Sequence, residues 1–236
     1  MDDFVSQVSG ISALAEPARR GLYLYVVAQP DPVSRDQAAE GTDLPRHTAK
    51  FHLDKLVEEG LLDTEFRRLS GRRGPGAGRP TKLYRRSARQ VAVTLPARHY
   101  QLVGQILAAG VEDAARNGVP IVDAVQRAAA AAGHRLGAAE LRRVGDTAAD
   151  TLDHMCAALT AYGYEPRTQA DTLVLANCPF HALAQDHTEL VCTMNLHLIA
   201  AMLEELGHPA QLARLDPAPD RCCVTVTSTP AQIADS

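Results

Sequence analysis

Between Val33 and Arg86 the order of local patterns leaves few folds open. Ser34 is a residue type suited to capping a helix, and Gln37 follows three positions later. Together they predict a capping box opening a short helix over Ser34–Glu40. Gly41-Thr42-Asp43 makes a turn. A second helix is predicted from Pro45 to Glu59, with proline at its first position, where the missing N–H is no loss. Ala49, Leu53, Leu56 and Val57 keep helical spacing along it, and Gly60 ends it. Two short helices joined by a tight turn form a helix-turn-helix, whose second helix can enter a DNA major groove.

The residues that follow sharpen this reading. Leu61–Arg68 and Thr81–Arg86 alternate as strands, and SGRRGPGAGRP between them is too rich in Gly and Pro for regular structure. From Phe66 to Arg89 there are nine Lys or Arg and no acid. A hairpin with a basic tip beside a recognition helix is a wing, suited to the phosphate backbone or minor groove. Arg46, His47, Thr48, Lys50 and His52 on the early recognition helix are the candidates for groove contacts. Lys55, Arg67, Arg68, Arg72, Arg73 and Arg79 are expected to meet phosphates, one wing arginine reaching the minor groove.

A net charge of −4 looks wrong for a DNA-binding chain until it is divided along the sequence. Residues 1–90 hold 15 basic and 12 acidic groups; the remainder holds 9 and 16. The positive charge is concentrated where DNA would sit. No run of eighteen apolar residues occurs, and the acidic start MDDFVSQ is unlike a signal peptide, so a cytoplasmic protein without membrane association is expected.

Ahead of the helix pair, Gln7–Ala15 and Glu16–Ala28 read as helices, Pro17 suiting a first helical position. Val91–Leu95 alternates as a short strand. Three Ala-rich helical segments follow, Ala97–Asn117, Ile121–Leu136 and Ala138–Ala161, with breaks at Gly118, Pro120 and Gly137. Their small residues suit close helix packing, either within a bundle or across a homodimer matched to a palindromic operator. From Tyr162 the period switches. Strands are expected at Tyr164–Thr168, Thr172–Asn177, Gln211–Leu215 and Arg221–Thr227, with a helix over Glu189–Leu206. The expected fold is mainly α with α+β. It comprises a winged helix-turn-helix over 1–90, a helical dimerisation region over 91–161 and an α+β effector domain over 162–236.

Four of the five cysteines, Cys178, Cys192, Cys222 and Cys223, fall in the last quarter of the chain. In an intracellular protein this argues against a disulfide framework. Cys178 starts a C-x2-H word with His181, and Cys192 falls in the first turn of the expected helix, where the dipole favours a thiolate. Cys222 and Cys223 open the last expected strand. Alternation lets one of them readily face a shared site, and Cys222 is in phase with Val224 and Val226. Two readings stay open: Cys178, Cys192 and one of Cys222 and Cys223 as thiolate ligands for zinc or an iron–sulfur cluster, with His181 as the candidate fourth ligand, and buried thiols acting as small hydrophobes. An enzyme is not expected. No GxSxG, P-loop or HExxH occurs, and Cys178–His181 has no visible third partner.

The words LAEPARRGLYLYV, LPRHTAKFHLDKLVEEGLL, RRLSGRRGPGAGRPTKLYRR and NCPFHALA…ELVC…RCCV resemble the actinobacterial ArsR-like winged-helix regulators. They resemble in particular the SufR branch, repressors of iron–sulfur cluster biogenesis, and the resemblance covers nearly the whole chain. It implies a homodimeric repressor carrying a [4Fe–4S] cluster on Cys178, Cys192 and Cys222 or Cys223, with cluster loading controlling operator affinity. The chain departs from the C-x2-C form of cyanobacterial members by placing His181 at the second position. Zinc and a small organic ligand are the alternative signals.

Overall fold

The computed structural model describes residues 2–68, 80–144 and 151–228. Two compact units divide the chain, Met1–Val93 and Thr94–Ser236.

In the N-terminal unit, helices α1 (Asp2–Ala13) and α2 (Pro17–Ala28) precede the short strand β1 (Val33–Ser34). Helices α3 (Arg35–Gly41) and α4 (Arg46–Glu58) follow, then strands β2 (Leu62–Arg67) and β3 (Thr81–Arg86). Glu16 caps α2, its carboxylate accepting from the N–H groups of Ala18 and Arg19 at 3.1 and 2.6 Å, with Pro17 first in the helix. The expected capping box closes α3. The Gln37 N–H donates to Ser34 Oγ at 3.2 Å, and the Ser34 N–H donates to Gln37 Oε1 at 2.8 Å. Ser34→Ala should therefore lower stability by about 1 kcal/mol, read as a lower thermal midpoint; an unchanged midpoint would remove the cap from the account. Gly60, at φ 71°, takes the left-handed conformation that turns the chain from α4 into β2.

The sheet of this unit has the order β1-β3-β2, all antiparallel. Leu22, Val26, Ala49, Leu53, Leu56, Leu62 and Tyr84 meet in its core. Sequence pattern missed β1, whose two residues pair only with the distant Leu83 and Tyr84. Val91–Leu95 takes no strand conformation; alternation does not supply a partner strand.

The C-terminal unit contains α5 (Tyr100–Asn117), α6 (Ile121–Val144), α7 (Thr151–Ala161), β4 (Pro166–Gln169), β5 (Thr172–Leu175), α8 (His181–Asp186) and α9 (Thr188–Glu205). A 3-10 turn over Ala210–Leu212 leads to β6 (Ala213–Leu215), and β7 (Val224–Thr227) completes an antiparallel sheet of order β4-β5-β7-β6. The expected break at Gly137 does not occur. Helix α6 runs through it because Gly133 and Gly137 lie against α9. A Cβ on Gly133 would come within 2.2 Å of the Leu198 carbonyl oxygen, and one on Gly137 within 2.9 Å of that of Met202. These glycines mark a close helix crossing rather than a helix end. One core, running from Val103 and Ile106 through Met155, Leu173 and Leu198 to Val226, spans both the helical region and the sheet. The expected division at residue 161 therefore disappears, because α6 buries its small residues on α9.

Candidate functional site

Helix α4 buries Ala49, Leu53 and Leu56 and turns its other face outward. Arg46, His47 and Lys50 are exposed and Thr48 is half-buried. The Arg46 guanidinium keeps a loose ion pair with Asp36 at 3.4 Å. Lys55 is held at 3.0 Å by both Glu58 and Glu59, which raises its pKa, the Glu59 hydrogen bond being the larger cause. On β2, Arg67 lies 2.7 Å from Glu65, and Arg68 is exposed. Arg72, Arg73 and Arg79 lie outside the described residues.

His52 does not belong to the outward face. Its side chain is 12% exposed, with Nδ1 3.6 Å from the Glu16 carboxylate. Position 52 lies three residues after Ala49 and four before Leu56, so helical phase turns it inward. Phe51 takes the outward place and is 65% exposed. Polar and charged residues alone do not mark it, and the signal for it in the sequence is a large apolar residue off the 49/53/56 stripe. An exposed aromatic on a recognition helix can meet a thymine methyl.

The cysteine site is built by three segments of the C-terminal unit. Cys178 follows β5 in the NCPFH loop, Cys192 lies in the second turn of α9, and Cys222 and Cys223 precede β7. All four are buried. Because Cys222 and Cys223 sit in a turn ahead of the strand, alternation does not apply and both enter the core, against the expectation of one. Cys192 and Cys223 form a disulfide with Cα atoms 6.1 Å apart, which corrects the expectation of free thiols throughout. The helix-dipole argument for Cys192 also weakens, since α9 starts at Thr188 and the effect is confined to the first turn.

Cys178 and Cys222 remain thiols in mutual contact. The hydrogen bond from Cys222 pulls the Cys178 thiol below its ordinary pKa, assisted by the Phe180 N–H and the Arg98 charge, while burial opposes. The same hydrogen bond pushes Cys222 up, with burial adding to it. Asn195 Nδ2 donates to Cys222 Sγ at 3.3 Å, and the Tyr164 hydroxyl donates to Asn195 Oδ1. Tyr164 also meets Phe180 edge to face, ring centroids 6.3 Å apart. His181 is exposed at the start of α8, and its backbone N–H donates to the Cys178 carbonyl at 3.1 Å.

Among the described residues no group of three or more His, Cys, Asp and Glu side chains is arranged to hold a metal ion. Two of the four sulfurs are bonded to each other, so a cluster on three thiolates does not fit this geometry, and His181 stands outside the buried site.

The NCPFH loop also grips the segment that begins the unit. Asn177 Nδ2 donates to the carbonyls of Ala97 and Gly163 at 3.0 and 2.6 Å. Arg98 Nη1 donates to Asn177 Oδ1 and to the Cys178 carbonyl at 3.4 Å. The His99 N–H donates to the Pro179 carbonyl at 3.1 Å.

A family model described as a helix-turn-helix domain matches residues 14–65, from the end of α1 to β2. No curated protein matches the chain, and no solved structure matches it. Among the described residues no helix is long and apolar enough to cross a membrane. The N-terminal unit thus carries a helix-turn-helix domain with a β hairpin following it, the arrangement of winged-helix DNA-binding regulators.

Proposed function

We propose that this chain is a DNA-binding transcriptional repressor whose affinity for its operator is set by the state of the four C-terminal cysteines. The outward face of α4, with Arg46, His47, Lys50 and Phe51 exposed in a matched helix-turn-helix, carries the DNA-binding half of the reading. Arg46 has the reach and charge for base edges or adjacent phosphates, Lys50 for a base edge, and the wing hairpin supplies further cations.

The reading includes a homodimer on a palindromic operator. It is supported by the apolar residues that α5 and α6 leave exposed, Val111, Ile121 and Val122 among them, and by the two-fold symmetry usual for such operators.

For the sensing half, the support is the burial of four sulfurs from three separate segments within one core. A [4Fe–4S] cluster would need the Cys192–Cys223 bond reduced first, and the residues that would then hold it are Cys178, Cys192 and Cys222 or Cys223. Such a cluster would supply a redox- and oxygen-labile group. The chain's own part is to keep water from the sulfurs and to hold the NCPFH loop, through Asn195, Tyr164 and Phe180.

Purification under strict anaerobiosis, with iron, sulfide and zinc measured per monomer, tests this directly. About four iron and four sulfide per monomer are expected for a [4Fe–4S] site. Zinc alone would replace the cluster with a zinc site, and absence of metal in the reduced chain would sink the metal-sensing half. For the DNA half, Lys50→Ala should weaken binding to a duplex selected by the native chain from a random pool by about tenfold, as one good base contact would. Unchanged affinity would take Lys50 out of the interface.

A further inference from the structure

Asp54 is an acid on the helix expected to meet DNA, a place where a carboxylate repels phosphate. Its side chain is 37% exposed. Oδ1 accepts from Lys82 Nζ at 2.7 Å and from the Tyr84 hydroxyl at 3.1 Å, both on β3. Oδ2 accepts from Lys50 Nζ at 3.1 Å, one helical turn back on α4. The Lys82 ammonium also lies 5.0 Å from the centre of the Tyr84 ring. Burial would raise the Asp54 pKa, but the hydrogen bonds from Lys82, Lys50 and Tyr84 outweigh it and hold the carboxyl below its ordinary value. The residue thus joins the recognition helix to a wing strand 28 and 30 positions away in sequence, beside a cleft of about 520 Å³ lined by Ser34, Lys50, Thr81 and Lys82.

We propose that Asp54 is a specificity-determining positioning residue of the DNA interface. It withholds Lys50 and Lys82 from indiscriminate phosphate contact and fixes the wing strand against the recognition helix. This rests on the DNA-binding reading above. Sequence-independent binding is driven by phosphate contacts, so competition for two lysines weakens it directly. Operator binding depends also on base contacts and on the register of helix and wing, which the same carboxylate secures. Asp54 lowers the first more than the second, and the difference is discrimination.

Asp54→Asn tests this, because the amide keeps an acceptor for Tyr84 and removes the charge that engages the lysines. Binding is measured by fluorescence anisotropy on a duplex selected by the native chain and on a scrambled duplex, over a range of salt. The scrambled duplex should bind about tenfold tighter. Its log–log salt slope should steepen by about one to two, since each phosphate gained adds about 0.9. Affinity for the selected duplex should stay within about threefold. Equal tightening on both duplexes would reduce Asp54 to a general repulsive charge and overturn the proposal. So would an unchanged slope. A merely structural role predicts loss on both duplexes without a steeper slope.

Lys82→Gln in the otherwise native chain gives a second reading should Asp54→Asn fail to fold. Scrambled-duplex binding and its slope should be unchanged, because Lys82 is already engaged. A slope shallower by about one would overturn the proposal. A native chain that enriches no sequence from the pool would instead overturn the DNA-binding reading itself.

Discussion

A Gly133→Val chain should melt at a much lower temperature through its C-terminal unit. Helix α6 crosses α9 so closely that even a methyl group on Gly133 would meet the Leu198 carbonyl oxygen at 2.2 Å, the Ala201 Cβ at 2.9 Å and the Met202 nitrogen at 3.0 Å. Two of these neighbours are backbone atoms of a helix, which no side-chain rotation can move. Relief requires α6 to part from α9, and that would expose Leu198 and Met202, both buried. Overpacking of this kind costs about 3 kcal/mol, a large part of the stability of an ordinary domain. Circular dichroism during heating should show a fall in helical signal at a much lower temperature than in the native chain. Gly104→Ala is the matched control, since its Cβ would meet nothing within 4 Å. In an exposed helix interior that change should stabilise by about 1 kcal/mol. A native melting profile for Gly133→Val would show that the crossing is looser than described.

Replacement of Cys192 by serine should remove the regulation while leaving a folded chain that binds DNA. Cys192 is buried near the start of α9 and bonded to Cys223, so it ties the helix to the segment ahead of β7. Serine is of similar size but forms neither a disulfide nor a soft metal ligand. If the cysteines govern operator affinity, native protein purified anaerobically and native protein stripped of metal should differ at least tenfold in operator affinity, within the usual range of coupling between sites. For Cys192→Ser the two preparations should agree within about twofold. Cys156→Ser, a change at a half-buried thiol on α7, should keep the native difference. A retained response in Cys192→Ser would separate regulation from this cysteine, whatever metal the native chain holds.

The legible parts of the sequence were those governed by neighbours along the chain. Ser34 and Gln37 announce a capping box because both halves of it lie within one helical turn. The strand expected over Thr81–Arg86 occupies that same range, and Ala49, Leu53 and Leu56 give the inner face of α4. What stayed hidden depends on contacts distant in sequence. Gly137 looks like a helix break until α9 is known to pass beside it. His52 and Phe51 are adjacent, and only the exact phase of α4 against α2 sends the histidine to Glu16 and the phenylalanine outward. The two neighbouring cysteines posed the same problem. A strand would have separated them onto opposite faces, but the turn before β7 sends both inward, one to Cys178 and one to Cys192. Asp54 gave no signal at all, because its partners Lys82 and Tyr84 come from the far strand of the wing, 28 and 30 positions away.

The grip of the NCPFH loop on Ala97, Arg98 and His99 bears on how such a chain can be taken apart and recombined. The first residues of the C-terminal unit are not a neutral tether that any spacer could replace; their hydrogen-bonding partners belong to the loop that carries Cys178. The C-terminal unit is therefore exchanged whole only from Thr94 onward. A chimera joined after His99 would discard the Arg98 guanidinium that donates to the Asn177 side-chain oxygen and to the Cys178 carbonyl. A junction between Val93 and Thr94 carries the whole arrangement across intact.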